Sequence, residues 1–328
     1  MKKSKKILAV LLSALTLSLS LVGCAGSGNE ASSNEGKVYN IGICQIVTHY
    51  ALDASTNGFK EAVVAGLGEE NVKFIEQNAA GDNNTCTTIV NDFVSKNVDL
   101  IMANATPALQ AAANATLEIP ILGTSVTEYG VALEIDNFSG TVGGNISGTS
   151  DLAPLETQAQ MVIDLVPDAK TVGMLYCSAE PNSAYQVKVV KEYLEGKGLT
   201  VKDYAFSASS DVAQVAEACA SDSDVIYIPT DNTAASCTET INNVVLPKKT
   251  PIIAGEAGIC AGCGIATLSI SYEELGKKTG EMAVEILKNG KDIAEMPIAY
   301  DEKPVKKYNK NICDELGIAI PEGYEVLE

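Results

Sequence analysis

Asp231 and Asn232 set a carboxylate beside an amide in the stretch Val225-Ile-Tyr-Ile-Pro-Thr-Asp-Asn-Thr233. Such a pair suits the holding of a small polar ligand. The stretch opens apolar and β-branched, as a buried parallel strand does. It then turns through proline and small polar residues into Ala234 to Asn243, which reads as a helix. In open α/β sheets the ligand crevice lies at the carboxyl ends of the strands, so Asp231 and Asn232 fall at its edge. The same elbow recurs at Ala105-Thr-Pro-Ala108. Pro107 fits a first helical turn, and Thr106 stands near the N-cap with free backbone donors beyond it. That is a place for a carboxylate, or simply a capped helix. His49, the only histidine, follows the first strand, and Ser125 and Thr127 end the fourth. No nucleophile–base pair, paired acids at a working spacing or metal cluster accompanies these groups, so the chain reads as a binder and not an enzyme.

The composition narrows the ligand. The formal charge is −19, which argues against nucleic acid. All 23 basic residues are lysine, and tryptophan is absent. Without arginine a ligand carboxylate has no bidentate fork and must be met by backbone N–H groups, hydroxyls or lysine. Without tryptophan a sugar site loses its strongest stacking platform.

The elements that must position these groups alternate along 328 residues, enough for about two domains. Strands are expected at Val38–Cys44, Val72–Glu76, Asp99–Asn104 and Ile119–Gly123, with helices at Ala54–Gly66 and Thr85–Lys96 between them. Asp53, one turn into its helix, complements the N-terminal dipole and is read as structural. A Gly-, Ser- and Asn-rich run, Asn137–Ser150, marks a lobe boundary; Gly143-Gly-Asn-Ile-Ser-Gly148 lacks the strand–helix setting of a dinucleotide fingerprint. A second series follows, with strands at Thr171–Tyr176, Leu199–Tyr204, Val225–Ile228 and Thr250–Gly255. A long amphipathic helix over Tyr272–Asn289 and a mixed tail close the chain. The expected fold class is α/β: two doubly wound, Rossmann-like parallel-sheet lobes with a ligand cleft between them.

The first residues are addressed to a membrane. Lys2-Lys-Ser-Lys-Lys6 is a basic n-region, and Ile7–Val22 a short apolar run ending at Leu21-Val-Gly-Cys24. The run is too short for an anchor and reads as a cleaved export signal over 1–23. Leu-Val-Gly-Cys resembles a bacterial lipobox, with Cys24 lipidated. Residues 24–37 then form a flexible tether. The chain is expected to be exported and lipid-anchored to the outer face of the bacterial cytoplasmic membrane.

Eight further cysteines, Cys44, Cys86, Cys177, Cys219, Cys237, Cys260, Cys263 and Cys313, would permit disulfides in an exported chain. Cys260-Ala-Gly-Cys263 suggests a redox pair or half a zinc site. It lacks a second Cys-X-X-Cys, a cysteine–histidine pair and a thioredoxin-like context, so no metal is expected. The plain reading is cysteine as a small apolar residue.

These segments carry a resemblance. His49-Tyr-Ala-Leu-Asp, Ala105-Thr-Pro-Ala, Gly148-Thr-Ser-Asp, Glu180-Pro-Asn-Ser, Pro229-Thr-Asp-Asn-Thr, Ala254-Gly-Glu and Glu274-Leu-Gly-Lys-Lys-Thr-Gly-Glu-Met-Ala stand in one order across residues 38 to about 320. Together they resemble substrate-binding lipoproteins of ABC transporters, in the tryptophan/tyrosine-type branch of the type I periplasmic-binding-protein fold. The resemblance implies two discontinuous lobes joined by three crossovers. Lobe one would be 38–148 plus about 257–290, and lobe two 149–256 plus about 291–328. It also implies hinge closure on a ligand and delivery to an ABC permease and its ATPase. Val126-Thr-Glu-Tyr129, where relatives usually have Val-Thr-Asp-Pro, and the Cys-X-X-Cys depart from the pattern.

The reading that follows is a solute-binding protein for a small zwitterion, an amino acid, possibly aromatic. Asp231, with Glu256 in reserve, would meet the ammonium. Thr106, Ser125 and Thr127, with N–H groups near Ala108, would meet the carboxylate. Gln45, His49, Asn182 and Tyr185 would line the side-chain pocket and closing face. No cofactor is expected, and the protein is expected to be a monomer. Two alternatives stand beside it: an exported thiol oxidoreductase using Cys260 and Cys263, and a surface receptor for a sugar or signalling molecule.

Overall fold

A computed structural model describes residues 37–300 and 303–327. The expected signal peptide, Cys24 and nearly all of the tether lie outside the described residues.

Every residue of Leu100–Asn104, Ile121–Val126 and Val225–Ile228 is buried, as in strands covered on both faces. They belong to two sheets. In the first, β1 (Tyr39–Gln45), β2 (Val72–Asn78), β3 (Leu100–Asn104), β4 (Ile121–Val126) and β5 (Ile146–Ser150) lie parallel in the order β5-β4-β3-β1-β2. The second repeats that order with β6 (Thr171–Cys177), β7 (Thr200–Phe206), β8 (Val225–Ile228), β9 (Ile252–Ala254) and β10 (Ala266–Ser269), arranged β10-β9-β8-β6-β7. Three late strands extend the edges. β11 (Ala299–Tyr300) joins β5, β12 (Val305–Tyr308) runs antiparallel to β10, and β13 (Glu325–Val326) joins β12. In each sheet the chain reverses its direction of winding between the first and third strands. That switch point, at β1/β3 and at β6/β8, is where such sheets leave a crevice at their carboxyl ends.

Two segments change sides from the sequence expectation. Residues 257–269, expected in lobe one, belong with the second sheet: the helix Ala257–Cys263 connects β9 to β10, and β10 pairs with β9 through Ala266 and Ile253. A helix joining two neighbouring parallel strands packs on their own sheet. Residues 293–300, expected in lobe two, stay with the first sheet, where Ala299 and Tyr300 pair with Thr149 and Ser150 and Ser147 Oγ donates to Met296 O at 2.9 Å. The same pairing draws Thr149 and Ser150 into lobe one. The chain therefore passes between lobes after β5, after β10, and between β11 and β12. The single helix expected over 234–243 is two, Asn232–Ser236 and Thr238–Val245, broken at Cys237 among poor helix formers.

The helix Tyr272–Leu287 returns from the second lobe to pack along the helix Tyr50–Leu67. Phe59, Val63, Met282 and Ala283 share one core beneath this crossing with Ile41, Ile43 and Met102 of the sheet. The backbones approach closely because glycine stands at the contact. A methyl on Gly276 would run into Ser55 O, one on Gly58 into Glu273 O, and one on Gly280 would lie 2.6 Å from Phe59 O. Gly276→Val is therefore expected to destabilise the fold by about 1–3 kcal/mol through overpacking. Urea unfolding checks this. The midpoint should fall with the slope unchanged, and an unchanged midpoint would show that the crossing has slack.

Candidate functional site

Lobe one presents two helix starts to the crevice. The helix Tyr50–Leu67 begins at His49 and the helix Thr106–Ala115 at Ala105, neither with a side-chain cap. Their first-turn N–H groups, the positive end of each helix, have no side-chain cap. The chain is forced into place here. Ala105, fully buried, has φ 85°, and Ser125 has φ 52° at an irregularity in the β4–β5 register. Non-glycine residues in that region of backbone space cost about 1–3 kcal/mol and gather at functional sites. Ser125 Oγ donates to Ser55 Oγ at 2.9 Å.

Carboxylates stand opposite, three on lobe two and Asp151 at the crossover directly after β5. Four acidic side chains are buried among the described residues, Asp151, Glu180, Asp231 and Glu256, and no lysine is. All four follow strand ends at the crevice. Three are satisfied by N–H and O–H donors. Asp231 caps the helix Asn232–Ser236, accepting from Ala234 N at 2.8 Å and, across the sheet, from Cys177 N at 2.6 Å. Glu256 caps the helix Ala257–Cys263, accepting from Gly258 N at 2.6 Å and from Ile259 N. Glu180 accepts from Asn232 N (3.0 Å) and Nδ2 (2.7 Å), from Thr233 N (2.9 Å) and Oγ1 (2.8 Å), and from Asn182 Nδ2 (3.2 Å). Asp151 differs. Its Oδ2 accepts from Tyr272 O–H at 2.9 Å, and its buried Oδ1 has no partner.

Burial raises these acids. Burial pushes Asp151 up to about 6 against the nearby hydroxyls of Thr127 and Tyr272. It pushes Glu256 up to about 7 against its two backbone donors, with the charge of Asp151 adding to the rise. Asp231 goes up to about 8 through burial and then the charge of Glu180. No cation offsets any of these shifts.

The polar groups form two chains. His49 Nε2 reaches Asn232 Oδ1 across the cleft at 3.3 Å. Asn232 leads to Glu180, Glu180 to Asn182, and Asn182 Nδ2 to Thr230 O at 3.1 Å. Separately, Tyr272 O–H holds Asp151, whose charge acts on Glu256. A cavity of about 420 Å³ opens between the lobes at the Glu180 end, lined by Val47 and Pro107 of lobe one and Glu180, Asn232 and Thr233 of lobe two. That is within the range of small-molecule sites.

Residues 40–327 match the ABC transporter substrate binding protein family. The chain belongs to that family. It is a family of solute-binding proteins, not an enzyme class. Among relatives, a tyrosine-binding protein of Clostridioides difficile (strain R20291) is 38% identical over 309 residues, covering 91% of this chain and 88% of the relative. Among solved structures, an ABC domain from Streptococcus pneumoniae in complex with L-Trp is 33% identical with a TM-score of 0.84, over 88% of this chain and all of the other. The ligand-free, open structure of a substrate-binding protein with adhesive properties from Clostridium difficile is 37% identical with a TM-score of 0.67, over 89% of this chain and 99% of that one.

Within this substrate-binding protein, the residues singled out in the sequence fall into five groups. His49 meets Asn232 across the cleft and Asn182 bonds Thr230 O on lobe two, while Thr106, Ser125 and Thr127 are buried at the helix start and strand end of lobe one. Tyr185, half-buried, lies toward the outer rim, where Glu128 and Tyr300 of lobe one are its electrostatic neighbours. Gln45 is buried inside lobe one, its amide nitrogen on Val47 O and Asp53 Oδ1 and its oxygen under Thr56 Oγ1. Asp231 and Glu256 are present at the crevice but have both oxygens engaged by backbone. Cys260 and Cys263 are buried, accept nothing from each other, and burial pushes both thiols up, the opposite of a redox-active pair.

Sequence reasoning passed over Asp151, Glu180 and Tyr272. A signal existed for two of them. Asp151 and Glu180 each stand between a strand and a helix, as Asp231 does, and Glu180 precedes a proline at the first helical position. Tyr272 had none, since its role depends on which lobe the last long helix joins.

Because burial raises all three acids in the folded protein, folding takes up protons. The contribution is complete below about pH 4, the ordinary carboxylate range, and is lost as the pH rises through about 6, 7 and 8. The thermal unfolding midpoint of the ligand-free protein should be higher at pH 5 than at pH 8. A midpoint constant over that range would mean the acids titrate alike in the folded and unfolded chain.

Proposed function

We propose that the protein captures a free amino acid with an aromatic side chain in the interlobe cleft. It would hand that ligand to an ABC permease and its ATPase. The observation that carries this is Asp151: of the four buried carboxylates it alone keeps a buried oxygen without a partner, and no buried cation balances the group. An ammonium at Asp151 Oδ1, with Glu256 close by, supplies the missing charge. The ligand carboxylate goes to the uncapped helix starts at His49 and Ala105, with the hydroxyls of Thr106, Ser125 and Thr127 near. The ammonium role expected of Asp231 thus moves to Asp151, because Asp231 is engaged as a cap. The names of the relatives, one tyrosine-binding and one solved with L-Trp, support an aromatic ligand. The chain also superposes better on the L-Trp complex than on the ligand-free, open structure, although it is more identical to the latter. That agrees with lobes drawn together as around a ligand. Export by the 1–23 signal and a lipid on Cys24, tethering a monomer to the outer face of the bacterial cytoplasmic membrane, complete the proposal.

A thermal-shift screen against amino acids, sugars and nucleosides tests the class. A ligand at a hundred times its Kd adds about 2.7 kcal/mol of stability, and a sugar hit with no amino-acid hit would overturn the reading. Titration of Asp151→Asn tests the role. Affinity for the amino acid should fall about 10- to 100-fold, the worth of a charged hydrogen bond, while its deaminated analogue should change little. Equal losses for both ligands would remove Asp151 from the ammonium. Asp231→Asn should instead lower the melting temperature and leave the ratio of the two ligands unchanged.

A further inference from the structure

Val126-Thr-Glu-Tyr129, set apart in the sequence, holds a side chain that the site above does not use. Glu128 caps the short helix Tyr129–Ala132 by accepting from Val131 N. That turn brings the Tyr129 hydroxyl against β4 and β5, with the residue only 1% exposed. Two glycines make the room. A methyl on Gly123 of β4 would run into Tyr129 Oη, and one on Gly148 of β5 would lie 2.5 Å from the same atom. Gly123 and Gly148 pair in the sheet, and the register breaks directly after them. From there β4 takes three steps to Val126 while β5 takes two to Ser150, so β4 carries an extra residue. Ser125, at φ 52°, absorbs it.

The hydroxyl also has a partner. Tyr129 O–H donates to Thr149 O at 3.1 Å. Next along β5, Ser150 Oγ donates to Thr127 O at 2.7 Å, and then Asp151 N to Val126 O at 3.2 Å. The end of β5 is thus pinned residue by residue to the irregular end of β4, and the last residue pinned is Asp151. Burial and the charge of Asp151 push the Tyr129 phenol up, so it stays protonated and a donor. Asp151 Oδ2 is held by Tyr272, and Oδ1 is unpaired. With one oxygen tethered, the direction of the other is set by where the backbone of Asp151 stands.

We propose that Tyr129 is a positioning residue for the ligand ammonium: by holding Thr149 O at the β4–β5 irregularity, it fixes the backbone from which Asp151 Oδ1 is aimed. The inference rests on the amino-acid reading above, in which Asp151 meets the ammonium. Tyr129 itself does not touch the ligand. Tyr129→Phe keeps the ring in its slot and releases Thr149 O. The end of β5 can then shift, and Asp151 with it.

Calorimetric titration of the purified protein and of Tyr129→Phe compares L-tryptophan with indolepropionate, its deaminated analogue, and L-tyrosine with hydroxyphenylpropionate. In each pair that binds, the native protein should prefer the amino acid. In Tyr129→Phe that preference should shrink by about 3- to 10-fold, the worth of one hydrogen bond, with the analogue binding nearly as before. Tyr39→Phe is the control. It removes a hydroxyl bond to Leu287 O, 2.7 Å long, at the opposite end of the same sheet. It should lower the melting temperature and leave the preference unchanged. An equal loss for amino acid and analogue in Tyr129→Phe, a preference left intact there, or the same shrinkage in Tyr39→Phe would each overturn the positioning role and leave the amino-acid reading standing. A Tyr129→Phe protein that no longer melts cooperatively would do so too, since the hydroxyl would then hold the fold and not the aim of Asp151. A native protein that binds both members of a pair equally, or neither amino acid, would overturn that reading and this inference with it.

Discussion

Among the described residues four carboxylates are buried at one crevice with no buried lysine to meet them, and much of the site follows from that. Removing an ionised carboxylate from water costs several kcal/mol unless its oxygens are paired. The chain meets most of this cost with backbone. Asp231 and Glu256 each cap a helix, and Glu180 gathers the donors of Asn182, Asn232 and Thr233. These bonds make lobe two rigid at its strand ends, because moving any of those helix starts would expose a charge to a low-dielectric space. What they do not supply is a countercharge. The deficit is left at Asp151, where one oxygen is unpaired.

The absence of arginine now has a structural counterpart. A binding protein for a zwitterion needs a positive and a negative wall, and the usual guanidinium clamp is not in this chain. Lobe one instead offers two helix starts without side-chain caps, with strained backbone at Ala105 and at Ser125 beside the irregular strand, and in the proposed mode these would take the anion. Helix-end charge falls off within a turn, so this wall works only at contact distance. The opposite wall carries whole charges whose reach is longer. In the proposed binding mode this asymmetry would let the acidic groups draw the cation in and the helix starts orient it.

Much of the architecture was legible because it rests on periodicity. Buried parallel strands and the elbows after them are written as apolar runs that stop at proline, serine, threonine or aspartate, and these placed His49, Thr106 and Asn232 at the crevice. The lobe membership of 257–269 and 293–300 was not legible, since a helix between two strands looks the same whichever sheet receives it. Residue type also says nothing of whether a carboxylate is already satisfied. Asp231 looked like the ligand holder and proved a cap, whereas Asp151 lay within a quoted motif without a role. The difference lies in which backbone N–H groups stand within 3 Å of each, and that is set by the pairing of β6 with β8, far apart in sequence. Gln45 was drawn inward by a similar long-range contact, Asn104 of the neighbouring strand.

Asp151 also sits where the chain leaves lobe one for lobe two, directly after β5, and Tyr272 sits where it comes back. The bond between them joins two of the three crossovers. A hinge in such folds is a few residues at element ends that absorb the backbone change. Here those residues carry a buried charge. Oδ2 is tethered and Oδ1 unpaired on one carboxylate, so neutralising it alters the group that holds the crossovers together. Glu256, whose value the charge of Asp151 raises, is fixed to lobe two through its own helix. In the proposed complex a cation between Asp151 and Glu256 would therefore tie lobe two to the crossovers themselves, coupling ligand charge to the segments that a hinge must bend.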